Sequence, residues 1–376
     1  MSSCFRARHY ITGNPTEVAV TGRVISDLTP IRDDSGSLPW IAPGLVDIQI
    51  NGFAGIDLNR PLTDSDAWET ACSGLLRHGC THFLATIITN QTDVMNDLLS
   101  GMVEAYRRHP FNCIGFHMEG PFLNSDPGYR GAHNPDWMRP HALSIFEEWQ
   151  ALSENAVKLV TLAPEASPEH AISFIRCASQ SGVRISIGHS GAMGEILDDA
   201  IEAGATCWTH LGNAALTPNH KFENVIFHAL ARNALMASVI PDGHHIPAHA
   251  LEVICRSLGE RLILTTDAMS GAGAPPGRYT LCHLEIEVGK DGVARMPDSI
   301  NLAGSTLNPF ESVFRAAALT GLPWPELWTA MSTRPAAWLG IDHNLEIGRE
   351  ASFCLFNTDP DPSLSDVWLR GEKREG

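Results

Sequence analysis

Several short stretches of this chain end an apolar run in a side chain that can do chemistry. Cys113-Ile-Gly-Phe-His-Met-Glu119 delivers His117 and Glu119 and then breaks at Gly120-Pro121. Arg184-Ile-Ser-Ile-Gly-His-Ser190 delivers His189, Cys207-Trp-Thr-His-Leu211 delivers His210, and Arg261-Leu-Ile-Leu-Thr-Thr-Asp267 ends in Asp267. Two histidines and a carboxylate are a donor set of catalytic zinc, and such a set leaves one position for water. A second carboxylate facing that water can take its proton and later return it to a leaving amine. The metal lowers the pKa of the water towards ~7, so the base needs little driving force. A single histidine on an apolar strand is more often structural, and His82, His109, His170, His228 and His343 have no motif around them. His189 and His210 differ because each stands at a strand end, as Glu119 does. Asp267 in another setting would read as a helix N-cap.

These residues need elements that bring them together. Apolar runs at 43–52, 81–88, 113–119, 157–163, 184–190, 207–211, 236–240 and 261–267 read as strands. Helical patterns lie between them, at 64–78 with Asp64 as N-cap, 92–108, 168–181, 191–203 and 247–258. Eight strands alternating with helices predict a (β/α)₈ TIM-like barrel, whose active sites lie at the C-terminal strand ends. An open doubly wound sheet shares the alternation, but no G-x-G-x-x-G follows the first strand. Alternation puts His117 and Glu119 on one strand face. Residues 1–42 are rich in Thr, Gly, Val and Pro, with β-like pieces such as 17–25, and the tail is β-like again at 350–356 and 366–370. The expected organisation is α/β: a small β-sandwich domain built from both termini, 1–42 and 341–376, on a hydrolase barrel at 43–340. After the eighth strand, a hairpin at 281–294 is expected to turn at Gly289-Lys-Asp-Gly292, with helices following at 309–319 and 325–331.

The composition narrows the partners. A net charge of −17 over 376 residues argues against nucleic acid and against an anionic membrane surface. Nine cysteines without a Cys-x-x-Cys pair suit reduced thiols in a cytoplasmic protein. No apolar run is long enough to span a bilayer, and no apolar segment follows Arg6 and Arg8 at the start.

Further stretches sharpen the reading: Pro43-Gly-Leu-Val-Asp-Ile-Gln-Ile-Asn-Gly52, His117-Met-Glu-Gly-Pro-Phe-Leu123, Gly188-His-Ser190, Thr209-His-Leu-Gly-Asn-Ala214, Asp242-Gly-His-His245, Thr266-Asp-Ala268 and Leu302-Ala-Gly-Ser305. In order and in type they resemble the N-acetylglucosamine-6-phosphate deacetylases of the amidohydrolase superfamily. The resemblance implies removal of the acetyl group from N-acetylglucosamine 6-phosphate, giving the amino sugar phosphate and acetate. It makes Glu119, His189 and His210 the ligands of a divalent metal, with Zn²⁺ expected and Fe²⁺ or another ion as alternatives, and Asp267 the acid/base. It gives His117 no metal bond, which puts that ring one layer deeper or directly behind the ligands. Ala132, His133, Asn213, Ala214, His245, Leu302, Ala303 and Gly304 fall where the family contacts substrate, and His133 would help stabilise the oxyanion. A homodimer is implied as well.

Three departures from the family pattern stand out. Two-metal members of the superfamily carry His-x-His where this chain has Gln49 and Asn51, and neutral amides are poor zinc ligands. One metal per subunit is therefore expected, and Lys158, which opens its strand, is no bridging carbamate. Where the family has a phosphate-binding Arg, the comparable segment is Pro218-Asn-His-Lys-Phe-Glu223, in which Lys221, a point charge rather than a fork, or His220 could serve. His244 stands where an apolar residue is common. Other expectations for the same site are deacetylation of another or unphosphorylated N-acetyl amino sugar, or of an N-acyl amino acid. A non-catalytic sugar-binding protein is a further alternative, against which the four intact residues argue.

Overall fold

In a computed structural model of the chain, which describes residues 2–32, 36–62, 65–216, 218–297 and 302–374, eight parallel strands form one sheet. They are β1 (Leu45–Ile50), β2 (Cys80–Ile88), β3 (Cys113–Glu119), β4 (Val157–Leu162), β5 (Arg184–Ile187), β6 (Ala205–Trp208), β7 (Met236–Val239) and β8 (Leu262–Leu264). Each pairs with the next in chain order. Parallel strands covered by helices are buried on both faces, which is why they read as apolar runs rather than alternating ones; all of Cys80–Ile88 is buried.

The barrel closes between β1 and β8, where the backbone supplies little. Ile50 bridges Ala268, and Asn51 N donates to the Ala268 carbonyl at 2.8 Å. The Asp47 carboxylate does the rest. It accepts the Thr265 hydroxyl at 2.6 Å, the Thr266 hydroxyl at 2.7 Å, Thr266 N at 3.0 Å and Gln49 N at 3.2 Å. Burial pushes this carboxyl above its usual range, and those donors pull it back.

The interior is layered. Ile48, Leu84, Leu159, Cys207 and Ile263 pack with Trp338 as an apolar floor. Two residues further along the strands come Thr86, Thr161, Thr209 and Thr265, a hydroxyl layer that also holds His117 in register with Thr86. Two residues beyond His117 and Thr265 lie Glu119 and Asp267.

The two ends of the chain form a second sheet. Ser2–His9, Pro15–Thr21, Val24–Pro30 and Trp40–Pro43 join Phe353–Asn357, Ser363–Leu369 and Glu372–Arg374 in seven strands, with Trp40–Pro43 paired to Phe353–Asn357 at the centre. The sheet folds on itself: the Phe5 and Trp368 rings are 5.7 Å apart. Strands three places apart in a flat sheet would hold them roughly 14 Å apart. Gly44 links this sheet to β1, where a Cβ would stand 2.0 Å from Thr81 Oγ1.

Some elements differ from expectation. The β-like piece at 17–25 is split between two strands, because Gly22 (φ +61°) makes a turn there. The hairpin after β8 is a meander of Gly277–Leu281, Leu284–Val288 and Ala294–Arg295. The expected turn at Gly289-Lys-Asp-Gly292 is present between the second and third of these strands, and the difference is an added turn at Cys282-His283, with Cys282 at φ +55°, where no Gly or Asn announces it. β5, β6 and β8 stop short of His189, His210 and Asp267. Asp64, the expected N-cap of the helix Ser65–Arg77, lies outside the described residues. Among the described residues no helix is long and apolar enough to cross a membrane.

Asp47→Ala should cost about 3 kcal/mol or more, since it strands several buried donors. Urea unfolding of the purified chain measures this, and a loss under about 1 kcal/mol would mean that the seam does not depend on the carboxylate.

Candidate metal centre

Glu119 ends β3 and is 3 % exposed. Its Oε1 meets His210 Nε2 at 2.9 Å, His189 Nε2 at 3.4 Å and the Gln49 amide Nε2 at 2.9 Å. His189 follows β5 and His210 follows β6, both with left-handed backbones, φ +49° and +32°. That conformation turns each ring back into the barrel mouth, and it costs about 1–3 kcal/mol per residue. Burial works against the charged form of Glu119, but hydrogen bonds and charge from His189 and His210 outweigh it and hold the carboxyl well below the usual range.

These groups suit a metal ion. His189 Nδ1 lies 2.9 Å from the Tyr129 carbonyl, which can only accept, so Nδ1 is the donor there and Nε2 is the atom left to face a metal. The donor atoms of Glu119, His189 and His210 lie within 4.8 Å of one another. Two donors on a tetrahedral zinc stand roughly 3.3 Å apart, close to the separations from Glu119. Gln49 Oε1, Asn51 Oδ1, His133 Nδ1 and His210 Nδ1 are buried without a hydrogen-bond partner among the described residues. So many unsatisfied atoms at one mouth point to a group that the side chains do not themselves supply.

Asp267, at φ +51°, accepts a 2.6 Å hydrogen bond from the Asn51 amide. Burial first, and then the charge of Glu119, push its carboxyl up to about 8. Gln49 and Asn51 thus fill the places of potential ligands and act as donors, one to each carboxylate. His117 lies beneath, wholly buried. Its Nδ1 donates to the Ile48 carbonyl at 3.1 Å and its Nε2 meets the Thr161 hydroxyl at 2.8 Å. Burial holds the ring neutral, down to about 4.

The other expected residues are distributed around this centre. His133 Nε2 is 3.2 Å from His189 Nε2, and burial, then the neighbouring His189, push the ring down to about 3. Next to Ala132, Gly131 sits where a Cβ would meet the His189 ring at 3.2 Å and the Ala214 methyl at 3.9 Å. Asn213 N donates to the His210 carbonyl at 2.9 Å. Gly304 lies against the Asp267 carbonyl, and Ser305 N donates to it at 2.9 Å. His245, Leu302 and Gly304 line one recess together with His244 and Arg315, and Ala303 is buried beside it. Asp242 accepts His245 Nδ1 at 2.6 Å; burial opposes its charge, but His245 and two backbone amides keep the carboxyl below its usual range. Lys221 is the residue not brought in: it is exposed on the loop after His210, with no ion pair among the described residues. In the sequence Gln49 and Asn51 stand at the site as poor ligands, but neither their donor role nor Asp47 is apparent. Their one sequence signal is a run of polar side chains at alternate positions 47, 49 and 51 inside an apolar strand.

The amidohydrolase family model matches residues 40–373. An N-acetylglucosamine-6-phosphate deacetylase of Vibrio furnissii is 30% identical over 98% of this chain and 94% of its own length. An N-acetylgalactosamine-6-phosphate deacetylase of Escherichia coli O157:H7 is 29% identical over 99% of both chains. Among solved structures, a mutant N-acetyl-D-glucosamine-6-phosphate deacetylase of Mycobacterium smegmatis, in complex with N-acetyl-D-glucosamine-6-phosphate, superposes with a TM-score of 0.88 at 27% identity, covering 99% of each chain.

Metal analysis of the purified, dialysed protein should find about one divalent ion per chain, and Glu119→Gln should lower that by about tenfold or more. Two tightly held ions per chain would contradict the reading of Gln49 and Asn51 as donors.

Proposed function

The chain belongs to the amidohydrolase family, and from that premise we propose that it hydrolyses the acetamide of an N-acetyl amino sugar 6-phosphate, foremost N-acetylglucosamine 6-phosphate. The observation that carries this is the convergence of Glu119, His189, His210 and Asp267 on one closed mouth beside the His133 loop. Glu119, His189 and His210 would hold one divalent ion, with Zn²⁺ favoured by the two-imidazole, one-carboxylate set. When bound, that ion supplies Lewis-acid polarisation and a more acidic water.

The protein groups divide the remaining work. Asp267 takes the proton of the attacking water and gives it to the amine as the C–N bond breaks, so acetate leaves and the proton balance closes. Asn51 holds the Asp267 carboxylate in place through Oδ1, leaving Oδ2 for the proton. A His133 ring kept neutral by burial can donate one N–H to the acetamide oxygen as charge builds on it. The sugar would lie along Ala132, Asn213, Ala214, His245 and Leu302 to Gly304, with Lys221 as a candidate for the phosphate. By resemblance to the deacetylase family, we take the protein to be a cytoplasmic homodimer. The E. coli relative favours a second reading, the galactosamine epimer, at the same site.

Asp267→Asn should lower turnover by about 10²–10⁴-fold with metal content unchanged. Because the ionised carboxylate is the base, turnover should rise with pH on an acid limb. The Asp267 carboxyl stands at about 8 among protein charges alone, and the positive charge of a bound dication lowers it, so the midpoint should fall below 8. A limb that falls with rising pH in that range would remove Asp267 as the base. Acetate release should be compared for N-acetylglucosamine, its 6-phosphate and the galactosamine 6-phosphate epimer. The phosphorylated sugars should be preferred, and Lys221→Ala should raise KM for them alone. An unchanged KM would remove Lys221 from the phosphate site, and no acetate from any of the three sugars would overturn the proposal.

A further inference from the structure

Glu165 stands just past β4, in the turn Pro164–Ala166, and no step above uses it. Its carboxylate joins two separate loops. Oε1 accepts Asn124 Nδ2 at 2.9 Å and Gly191 N at 2.5 Å, and Oε2 accepts the Ser190 hydroxyl at 2.7 Å. Ser190 and Gly191 directly follow His189. Asn124 opens the loop that runs on to His133. The Asn124 side chain accepts Asp126 N at 2.9 Å, the Asp126 carbonyl accepts Arg130 N at 3.0 Å, and the Arg130 carbonyl accepts His133 N at 3.1 Å. The two loops also meet directly. Asn124 N donates to the His189 carbonyl at 3.2 Å, and His189 Nδ1 donates to the Tyr129 carbonyl at 2.9 Å.

We infer that Glu165 is a positioning residue: its carboxylate clamps both loops to the end of β4, so that His189 keeps its inward orientation and His133 stays beside it. Three features support this. The bonds are charge-assisted, which makes them roughly twice as strong as neutral ones. They fall on the two residues after His189, whose left-handed backbone needs outside support. They come from a short turn at the end of a buried barrel strand, a firmer base than either loop. A neutral amide at this position can keep its oxygen on Asn124 and Gly191 and turn its NH₂ to the Ser190 hydroxyl, which can accept, so it removes the charge that strengthens the clamp while holding both loops. The role rests on the reading of His189 as a metal ligand and of His133 as a carbonyl donor.

The test uses the full chain, stripped of metal and reloaded with Zn²⁺, with Zn²⁺ affinity read by competition with a chromophoric chelator. Glu165→Ala should weaken Zn²⁺ binding by about 10–100-fold, the usual effect of losing a group behind a ligand. At saturating Zn²⁺ it should lower kcat by about tenfold with KM within about twofold. Glu165→Gln, the variant to rely on if the alanine chain does not fold, should fall between the two. Glu169→Ala, an exposed carboxylate one turn further on, should match the unaltered protein. A merely structural tie would lower the thermal midpoint of the metal-free protein and leave Zn²⁺ affinity unmoved, and that result overturns the inference. So does a Zn²⁺ affinity within about twofold of the unaltered protein in both variants. The chelator titration needs no sugar. If the unaltered protein binds Zn²⁺ and releases no acetate, the substrate reading fails, while Glu165 is still judged on the affinity ratio.

Discussion

Burying the Glu119 carboxylate sets the terms for everything around it. An ion this far from water needs partners, and it finds three nitrogens at one oxygen: Gln49, His210 and, further off, His189. Its negative charge in turn opposes ionisation of Asp267, the second buried carboxylate of the mouth. Two carboxylates and two imidazoles, all buried, form an electrostatic arrangement that a divalent cation would resolve, because one dication favours both charged carboxylates together. The same pairing separates their duties. In the proposed mechanism the carboxylate that gathers imidazoles would be the ligand, and the one steadied by a single amide would be free to move a proton.

The rest of the barrel holds those groups still. The floor around Trp338 is dry and apolar, and the hydroxyl layer above it satisfies His117 without charge. At the seam, Asp47 fastens the end of β8 to β1 immediately before Asp267, so the closure of the sheet and the aim of the Asp267 carboxylate share one set of hydrogen bonds. The backbone conformations of His189, His210 and Asp267 fit the same picture. All three lie in the left-handed region, a cost that surrounding structure must hold in place at a working site. The small domain continues into β1 through Gly44 and so anchors the first strand of the barrel from outside.

Much of this was legible in the amino-acid sequence because strand periodicity and residue type coincide. Eight apolar runs announce the barrel, and the ionisable residues just past them announce which end carries the site. Gln49 and Asn51 were legible as poor ligands, but not as the donors that serve Glu119 and Asp267. Asp47 meets Thr265 across 218 positions of sequence, and no local pattern encodes that contact. The left-handed turns at His189, His210 and Asp267 were hidden for another reason: glycine and asparagine usually mark such conformations, and here the functional side chain occupies them itself. The Cys282-His283 turn escaped because a cysteine, not a glycine or asparagine, takes its left-handed position. Lys221 shows the opposite limit, because a position matched by motif gained no contact that ties it to the mouth.

The central claim is that one metal ion sits among Glu119, His189 and His210 and that Asp267 faces it without binding as a ligand. Anomalous diffraction at the zinc edge, from crystals of the Zn²⁺-loaded protein, tests this most directly. The account predicts a single strong peak about 2.0–2.2 Å from Glu119 and from both Nε2 atoms. No peak among those three residues, or a second peak of similar height held by Gln49 and Asn51, would contradict it.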